Sequence, residues 1–252
     1  MVNHNSIKLL LLLLVTFFGA SAQNQAITES QMFYRHRTQF GGHLNSSGLG
    51  GLNFKYGWHK TGATKNMLDI DFSRIRHPKE TRIYGQSNAP QRFTYGRLYM
   101  LFLLRTGLGQ TIAITERPYR NALSINFNYN FGLSTAFLKP SYLDIFYSNP
   151  DGIGGYTLAQ QYDPNKPEHN NLNLIFGNSN FFEGIGMTKA KVGAYGKASV
   201  SVEWGEFTED FQSIEAGFAL DVFPNPLALM AYQPRNYFLL NLYIGYTFGW
   251  NN

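Results

Sequence analysis

The segment from Arg235 to Trp250 constrains the fold more than any other part of the chain, because two kinds of side chain alternate along it without interruption. Successive side chains of a β-strand point to opposite faces, so this alternation is typical of a strand with lipid on one side and a polar interior on the other. We therefore predict a membrane-spanning strand here. One parity carries large apolar side chains: Phe238, Leu240, Leu242, Ile244, Tyr246, Phe248 and Trp250. The other carries smaller or more polar ones: Tyr237, Leu239, Asn241, Tyr243, Gly245, Thr247 and Gly249.

The same period of two recurs in other segments. Between Leu123 and Ser134, apolar side chains alternate strictly with serine, asparagine and glycine. Beyond the N-terminal segment, the longest apolar run extends only from Leu98 to Leu104, whereas a transmembrane helix needs about 20 apolar residues. Aromatic residues make up 16% of the chain, and there are 25 glycines. These features predict an all-β, antiparallel transmembrane β-barrel, with a soluble β-sandwich as the alternative.

Ten segments show this alternation, an even number that suits closure of an antiparallel barrel. The fifth and seventh are poorly defined, because Pro140 and mixed polarity blur their pattern. Merging or losing both leaves eight strands, so the sequence predicts about ten strands with eight as the alternative. The ten predicted segments are 32 to 45, 49 to 60, 65 to 77, 92 to 105, 108 to 116, 122 to 134, 137 to 147, 190 to 204, 208 to 222 and 236 to 250.

The predicted connections differ in length at the two ends of the barrel. The long ones, roughly 78 to 91, 148 to 189 and 223 to 235, fall on one side, which we expect to be extracellular. Tryptophans are enriched where a membrane meets water. We expect an interfacial belt at the opposite, periplasmic end, because all three tryptophans have outward parity at strand ends there: Trp58, Trp204 and Trp250.

Residues 1 to 22 have the features of a cleaved signal peptide. Lys8 precedes a largely apolar run from Leu9 to Phe18, and Gly19 to Ala22 supply the small residues of a signal-peptidase site. The apolar run is shorter than the roughly 18 residues that a membrane anchor needs. We therefore predict a signal peptide over 1 to 22 and a single outer-membrane barrel domain over 23 to 252.

Composition excludes several classes of function. The chain has no cysteine, which excludes thiolate catalysis, disulfides and cysteine-ligated zinc. The formal net charge is +5, and the basic residues are interspersed with acidic ones and form no cluster. This pattern does not favour a nucleic-acid partner.

Charged side chains occur at inward parity on several predicted strands. Because both signs are interspersed, we expect a lumen filled by mutually neutralising groups, with a narrow solute or ion pathway as the alternative. A hairpin centred on Glu206 would place Lys197 opposite Glu215 and Lys191 opposite Asp221, although a slip of two residues would keep the same faces. The predicted lumen charge network comprises Lys55, Asp69, Asp71, Lys191, Lys197, Glu215 and Asp221. Other inward charges are Arg35, Arg37, Arg97, Arg105 and Glu203.

The connection from 223 to 235 is mostly apolar, which is unusual for an outer loop. Two interpretations remain open: the loop is tucked over the lumen, or it is a docking surface for another protein. The candidate partner residues are Pro224, Pro226, Leu227, Leu229 and Met230.

Motifs for catalysis and metal binding are absent from the sequence. There is no Gly-x-Ser-x-Gly elbow and no His-Glu-x-x-His run, although His43 and His77 could approach each other at the extracellular rim. The segment from Tyr162 to Asn171 is rich in oxygen donors but lacks the acidic spacing of a calcium loop, so we expect an exposed loop. We predict no catalytic residue, no cofactor and no metal site.

Three short segments carry a family resemblance: Ala22-Gln23, Gly193-Ala194-Tyr195-Gly196-Lys197 and Tyr246-Thr247-Phe248-Gly249-Trp250. They resemble small outer-membrane β-barrel proteins of Bacteroidota. The resemblance implies a location in the outer membrane of a Gram-negative envelope. It also implies that the barrel-assembly machinery reads the C-terminal strand, whose last residues are aromatic.

Three functional hypotheses follow. The first is a non-enzymatic barrel that acts as a structural or accessory subunit of an envelope assembly, with outer-membrane lipid and another envelope protein as partners. The second is a narrow solute or ion channel. The third is a lipid- or peptide-modifying barrel enzyme, for which His77 would be the residue to test.

Overall fold

The structure is a computed structural model that describes residues 36–59, 64–84, 91–115, 123–151, 154–205 and 210–251. The predicted signal peptide over 1 to 22 lies outside the described residues and stays a prediction. The thirteen described strands, in chain order, are β1 (His36–Asn45), β2 (Gly48–His59), β3 (Thr64–Ile75), β4 (Arg82–Tyr84), β5 (Arg92–Thr94), β6 (Tyr99–Ala113), β7 (Ser124–Pro140), β8 (Tyr142–Ser148), β9 (Gly155–Gln161), β10 (Ile175–Asn178), β11 (Lys189–Gly205), β12 (Asp210–Leu227) and β13 (Asn236–Asn251).

Eight of these strands form a closed antiparallel barrel, which confirms the predicted fold class. The barrel strands pair in the order β1, β2, β3, β6, β7, β11, β12, β13, and β13 pairs with β1 from Arg37↔Asn251 to Asn45↔Tyr243. Every barrel strand is paired on both sides, so the sheet has no free edge to expose to lipid. Among the described residues, the helical elements are one short helix, α1 (Pro167–Asn170), and a 3-10 turn over Ile185–Met187. Within the described residues, no helix is long and apolar enough to cross a membrane.

The strand count is eight, the alternative that the sequence left open, and not ten. The predicted segments 92 to 105 and 108 to 116 are largely one strand, β6, and the break between 134 and 137 does not exist in β7. Gly107 pairs with Gly132 in the middle of the β6–β7 contact, and a Cβ on Gly132 would lie 2.4 Å from the Cα of Gly107. A Cβ on Gly107 would lie 2.6 Å from the hydroxyl of Tyr195, whose side chain fills the space inside the barrel.

The outer wall of the barrel is apolar and the inner wall is largely polar. Leu52 and Phe238, for example, are 70% and 66% exposed on the outside, although both are large apolar side chains. Side chains on the opposite parity, such as Asp69 and Lys197, are almost completely buried. This is the reverse of a water-soluble protein and matches a barrel with lipid outside.

The interior has a second, apolar layer at the end where the long connections lie. Phe223, Leu227 and Leu229 pack there in one cluster with side chains from β3, β6 and β7. Strand β12 extends to Leu227, so the first part of the predicted loop 223 to 235 is strand. The cluster closes the lumen like a plug. We call it the apolar plug, and its buried members are Ile75, Leu101, Leu103, Ala136, Leu138, Phe223, Leu227 and Leu229.

The connections at this same end form a small folded unit, which we call the loop domain (residues 76–84, 91–98, 141–151 and 154–188). It contains a three-stranded sheet in the order β10-β8-β9 and the β4–β5 hairpin. Phe93, Leu143, Ile145 and Ile175 form its own buried apolar core. Because strand direction alternates around the barrel, the long connections lie together at one end, as predicted, and the described chain ends lie at the other.

Candidate functional site

The charged interior of the barrel is the first candidate site. Most of its carboxylates come from β3 and β12, on which inward positions alternate with lipid-facing apolar ones, as Asp69 and Asp71 alternate with Ile70. The cations reach them from other strands. Lys197 lies 3.2 Å from Asp69 and 3.6 Å from Asp71, measured from Nζ to the nearest carboxylate oxygen.

Arg105, on β6, is the central cation of the lumen. Its Nε and Nη2 donate to the two carboxylate oxygens of Asp221 at 2.9 and 2.8 Å, and its Nη1 donates to Asp71 at 3.0 Å. Bidentate arginine–carboxylate pairs are among the strongest and most directional hydrogen-bonded contacts in proteins. Arg105 has inward parity in the sequence but is not a member of the predicted network, because parity alone does not show which cation contacts two acids.

A second group of contacts surrounds Glu215. Lys55 forms an ion pair with it, and Ser199 donates to its Oε1 at 2.8 Å. The hydroxyl of Tyr243 donates to the same oxygen at 2.5 Å. Arg37 and Glu203 form another buried pair nearer the described chain ends. Each of these lumen charges thus has a partner of opposite sign, although Arg37 Nε and Asp69 Oδ1 make no hydrogen bond within the described residues.

One predicted member of the network lies elsewhere. Lys191 donates to the backbone carbonyl of Pro226 at 2.6 Å and does not meet Asp221. The predicted β11–β12 register is wrong, because Lys197 pairs with Ala219 and Tyr195 pairs with Asp221. The strands remain paired out to Gly205 and Phe211, a register that differs from the one expected for a hairpin centred on Glu206. The faces are unchanged, and Lys197 finds its acids across the narrow lumen on β3.

His43 is the only described histidine that lies among lumen acids, and its contacts argue against a catalytic triad. Its Nε2 lies 3.1 Å from Ser73 Oγ and 3.5 Å from Asp71 Oδ2, so the same nitrogen faces both groups. In a Ser-His-Asp triad the two ring nitrogens divide these roles. All three residues are buried. His77 lies in the loop domain, where its Nδ1 accepts a hydrogen bond from the Lys79 amide.

Metal binding has no support in the described residues. No group of three or more histidine, aspartate or glutamate side chains there is arranged to hold an ion. The oxygen-rich segment from Tyr162 to Asn171 instead contains the buried His169, whose Nδ1 accepts a hydrogen bond from the Asp163 amide at 2.9 Å. Its Nε2 lies 3.0 Å from Gln160 Oε1, so the neutral Nε2–H tautomer satisfies both contacts. Burial lowers the pKa of His169 below its ordinary value.

The three tryptophans lie at the end of the barrel that holds the described chain ends. Each tryptophan is the second-last residue of its strand and has outward parity: Trp58 in β2, Trp204 in β11 and Trp250 in β13. The ring of Trp250 stacks on Phe40 at 5.9 Å, and Trp204 Nε1 donates to Gln212 at 3.2 Å. The arrangement is compatible with an interfacial belt, which stays a prediction.

The predicted partner loop is not an exposed apolar surface. Leu227 and Leu229 are buried in the apolar plug, and the backbone of Leu229 accepts a hydrogen bond from the Leu98 amide. Met230 forms an isolated β-bridge with Arg97. Of the two interpretations of this segment, the structure supports the one in which it covers the lumen. Leu227 and Leu229 are not available to contact a partner. Of the candidate residues, only Pro224 is exposed, while Pro226 binds Lys191 through its carbonyl.

The loop domain has an exposed strand edge, that of β9, which the sequence did not predict. Strand β9 is the edge of its sheet and is exposed along most of its length, with Tyr156 at 56% and Leu158 at 48%. The opposite edge, β10, is covered by Gln91 and Arg92, since Asn178 donates to the Arg92 carbonyl at 3.0 Å. The alternation of Tyr156, Leu158 and Gln160 was the available signal, but it lay inside a segment assigned to a long loop.

A closed barrel with an apolar outer wall and internally paired charges defines the class of the molecule: it is a transmembrane β-barrel of the outer-membrane type. No protein-family model matches the sequence, and no curated protein matches it either. Several solved structures resemble it, among them the two that follow. Neisserial surface protein A aligns with 8% identity and a TM-score of 0.40 over 87% of this chain and 97% of that one. The N-terminal β-barrel domain of Pseudomonas aeruginosa OprF aligns with 9% identity and a TM-score of 0.36 over 87% and 98%. Similarity at this level carries no functional information.

Proposed function

We propose that the protein is a non-enzymatic outer-membrane barrel that serves as an accessory subunit of an envelope assembly and binds its partner through the loop domain. The observation that carries this proposal is the combination of a filled, closed lumen with a folded loop domain that leaves one strand edge open. The barrel acts as the membrane anchor, and the loop domain is the part that meets other molecules.

The filled lumen argues against the channel alternative. An ion pathway needs water and groups that release the ion, whereas Arg105, Asp221 and Lys197 are already bound to one another or to neighbouring acids. Above them, the apolar plug covers the same lumen. We expect no conductance from the intact protein in a planar bilayer.

The arrangement of the histidines argues against the enzyme alternative. His43 is the described histidine with both a serine and an aspartate in contact, yet all three side chains are buried, and one nitrogen faces both partners. A catalytic site needs access for its substrate and a defined path for the proton. His77, the other candidate, contacts the Lys79 amide on the loop domain.

The open edge of β9 is the surface that we assign to the partner. An edge strand presents unpaired N–H and C=O groups, and natural proteins usually protect such edges with charges, proline or a covering segment. The sequence of β9 is Gly-Tyr-Thr-Leu-Ala-Gln-Gln, with no charge and no proline. Its backbone fits an extended strand of another polypeptide, which would extend the sheet by β-strand addition.

The side chains next to this edge suggest what the partner strand contains. Tyr156 stacks on Tyr147 at 5.8 Å, and Leu158 pairs with the buried Ile145. Both exposed side chains therefore continue the apolar core of the loop domain. A partner strand with apolar residues at alternate positions would cover Tyr156 and Leu158, so we propose an envelope protein that supplies such a strand.

The proposal is tested by capture of partners from the native membrane in mild detergent. Leu158→Lys places a charge at the centre of the edge and should abolish capture, because a charge on an edge strand opposes pairing. Asn173→Lys is the matched control, since it adds the same charge at an exposed position of the loop domain away from β9. Loss of the same captured protein with both variants, or retention with both, would overturn the assignment of the edge.

The C-terminal strand is a second proposed contact, used during assembly. Strand β13 ends with Phe248 and Trp250 on the outer wall and pairs with both β12 and β1. We propose that the barrel-assembly machinery recognises this aromatic end. Trp250→Ala should lower the amount of folded protein in the outer membrane, whereas Trp204→Ala, on an internal strand, should have a smaller effect.

A further inference from the structure

A group of cations lies at the loop-domain end of the lipid-facing wall. Arg74 is on β3 between the inward residues Ser73 and Ile75, so its side chain points outward from the barrel. Arg76 follows two residues later with the same parity, and its amide donates to the Ser47 carbonyl. Both side chains are partly exposed. They lie at the end of β3 nearest the loop domain, where we expect the lipid-facing wall to give way to the headgroup region.

Neither arginine has a carboxylate partner among the described residues. Arg74 contacts the sulfur of Met100 at 3.8 Å and lies 5.8 Å from the ring centre of Phe102. The Nε of Arg76 is buried and has no hydrogen-bond partner among the described residues. The guanidinium group of an arginine is suited to bind a carboxylate or a phosphate through paired hydrogen bonds.

The surrounding charges leave this region positive. Arg74 is subject to the positive charges of Arg76, Arg82 and Arg97, and Glu80 is the acid that opposes them. Glu80, however, is bound to Arg97 at 2.8 Å. A negatively charged ligand next to Arg74 would therefore relieve the repulsion.

Aromatic side chains lie directly beside these cations. Phe72 stacks on Phe102 at 6.1 Å on the outer wall, and Phe181 meets Phe102 edge to face at 6.3 Å. Phe181 belongs to a segment, residues 180–187, that folds down onto the outside of β6 and β7. Lys139 holds this segment by donating to the Glu183 carbonyl at 2.8 Å.

The same segment turns apolar side chains away from the protein. Phe182 is 70% exposed and Met187 61% exposed, and Ile185 between them is also exposed. On a surface that faced water, such a cluster would be costly. At the edge of a bilayer, it can lie among the upper parts of acyl chains, close to Arg74 and Arg76.

We propose that Arg74 and Arg76 form a binding site for the phosphate of an anionic lipid, whose acyl chains lie on the wall formed by Phe72, Phe102 and Phe182. The guanidinium groups supply the charge and the donors that a phosphate requires. The aromatic wall supplies the apolar contact that a free phosphate ion cannot use. The site is independent of the proposed partner edge on β9, which belongs to a different part of the loop domain.

The test uses the full-length protein reconstituted in two kinds of vesicle, phosphatidylcholine alone and equal parts of phosphatidylcholine and phosphatidylglycerol. After gentle extraction, native mass spectrometry counts the phosphatidylglycerol molecules that remain bound. We expect the wild-type protein to retain phosphatidylglycerol in preference to phosphatidylcholine. Arg74→Gln and Arg76→Gln should each weaken retention about fivefold, the effect of one cation at a membrane surface.

Two further variants separate charge from folding. Arg74→Lys keeps the cation and should retain most of the bound lipid. Lys166→Gln removes the same charge from an exposed position of the loop domain and should change nothing. Equal retention by wild type, Arg74→Gln and Arg76→Gln would overturn the site, as would an equal loss with Lys166→Gln.

A third arm distinguishes a lipid from a free anion. Inorganic phosphate is added to the protein in phosphatidylcholine vesicles, and the thermal unfolding temperature is followed. A phosphate-dependent rise that disappears with Arg74→Gln would overturn the lipid assignment in favour of a soluble anion. We expect phosphate to leave the unfolding temperature unchanged. Transfer of the protein to vesicles that contain phosphatidylglycerol should raise the unfolding temperature, and this increase should depend on Arg74.

Discussion

Arg105 and Asp221 form a bidentate ion pair inside the barrel, with N–O distances of 2.9 and 2.8 Å. Arg105 comes from β6 and Asp221 from β12, two strands that are not neighbours in the sheet. The pair therefore crosses the lumen, and Asp71 contacts the same guanidinium from β3. Three walls of the barrel are joined at one side chain.

Removal of one partner from this pair should be strongly destabilising. Asp221→Asn leaves Arg105 with less of its compensating charge in a buried site, and the loss should be about 3 kcal/mol in the free energy of unfolding. Urea unfolding in detergent micelles, followed by tryptophan fluorescence, measures it. Asp210→Asn, at an exposed position on the same strand, is the control. A loss below about 1 kcal/mol for Asp221→Asn would contradict the structural role of the pair.

The apolar plug predicts that substitutions at two positions of the segment 223 to 235 have different effects on stability. Leu229→Asp buries a charge in an apolar cluster and should destabilise the protein by about 3 kcal/mol or more. Pro224→Asp, at an exposed position, should have little effect. Unfolding of the two variants in micelles distinguishes them. If Leu229→Asp were as stable as wild type but lost a captured protein, the segment would be a docking surface after all.

The β11–β12 register predicts which cysteine pair can be cross-linked, and the chain has no cysteine of its own. Ala194 faces Val222 in the structure, whereas the register predicted from the sequence would place Ala194 opposite Phe218. Directly opposed Cβ atoms lie about 5 Å apart, within reach of a short cross-linker. Ala194→Cys with Val222→Cys should therefore cross-link, and Ala194→Cys with Phe218→Cys should not. The reverse result would show that the turn is centred on Glu206.

His169 predicts an acid-sensitive loop domain. Because burial lowers its pKa, the unfolded segment takes up a proton more readily than the folded one as the pH falls below about 6.5. Stability of the loop domain should be constant above this pH and decrease below it. Hydrogen exchange of amides near Tyr162 and His169 measures the change, and His169→Gln should remove most of the pH dependence. His77→Gln is the control and should leave the pH dependence as in the wild-type protein. If the pH dependence is unchanged in His169→Gln, another group causes it and the prediction is wrong.

The tryptophan belt predicts a common depth in the membrane. Three variants that each keep one of Trp58, Trp204 and Trp250, with phenylalanine at the other two positions, should be quenched equally by a lipid brominated near its headgroup. Quenching by a lipid brominated deep in the acyl chain should be weaker for all three. A deep position for any of them would show that the three side chains do not share one interface.

The alternation of side chains was sufficient to predict the membrane barrel. The face on which Leu240 or Asp69 lies depends only on its place within its own strand, so it can be read without knowledge of the neighbouring strands. The same local rule placed Lys55, Lys197 and Glu215 inside, and Trp58 and Trp204 at outward positions of strand ends. It also marked the weak segments that made eight strands the alternative to ten.

The contacts between strands could not be predicted in this way. Lys197 binds Asp69 and Asp71 across the lumen, and not Glu215 on the adjacent strand, because barrel closure brings β11 and β3 within reach of each other. Closure also decides that Leu227 and Leu229 fill the mouth of the barrel. The sequence by itself thus determined which side chains face lipid and which face inward, a property of each strand alone. Only the tertiary structure decided the ion pairs, the plug and the open edge of β9, because each depends on residues that are distant in the chain.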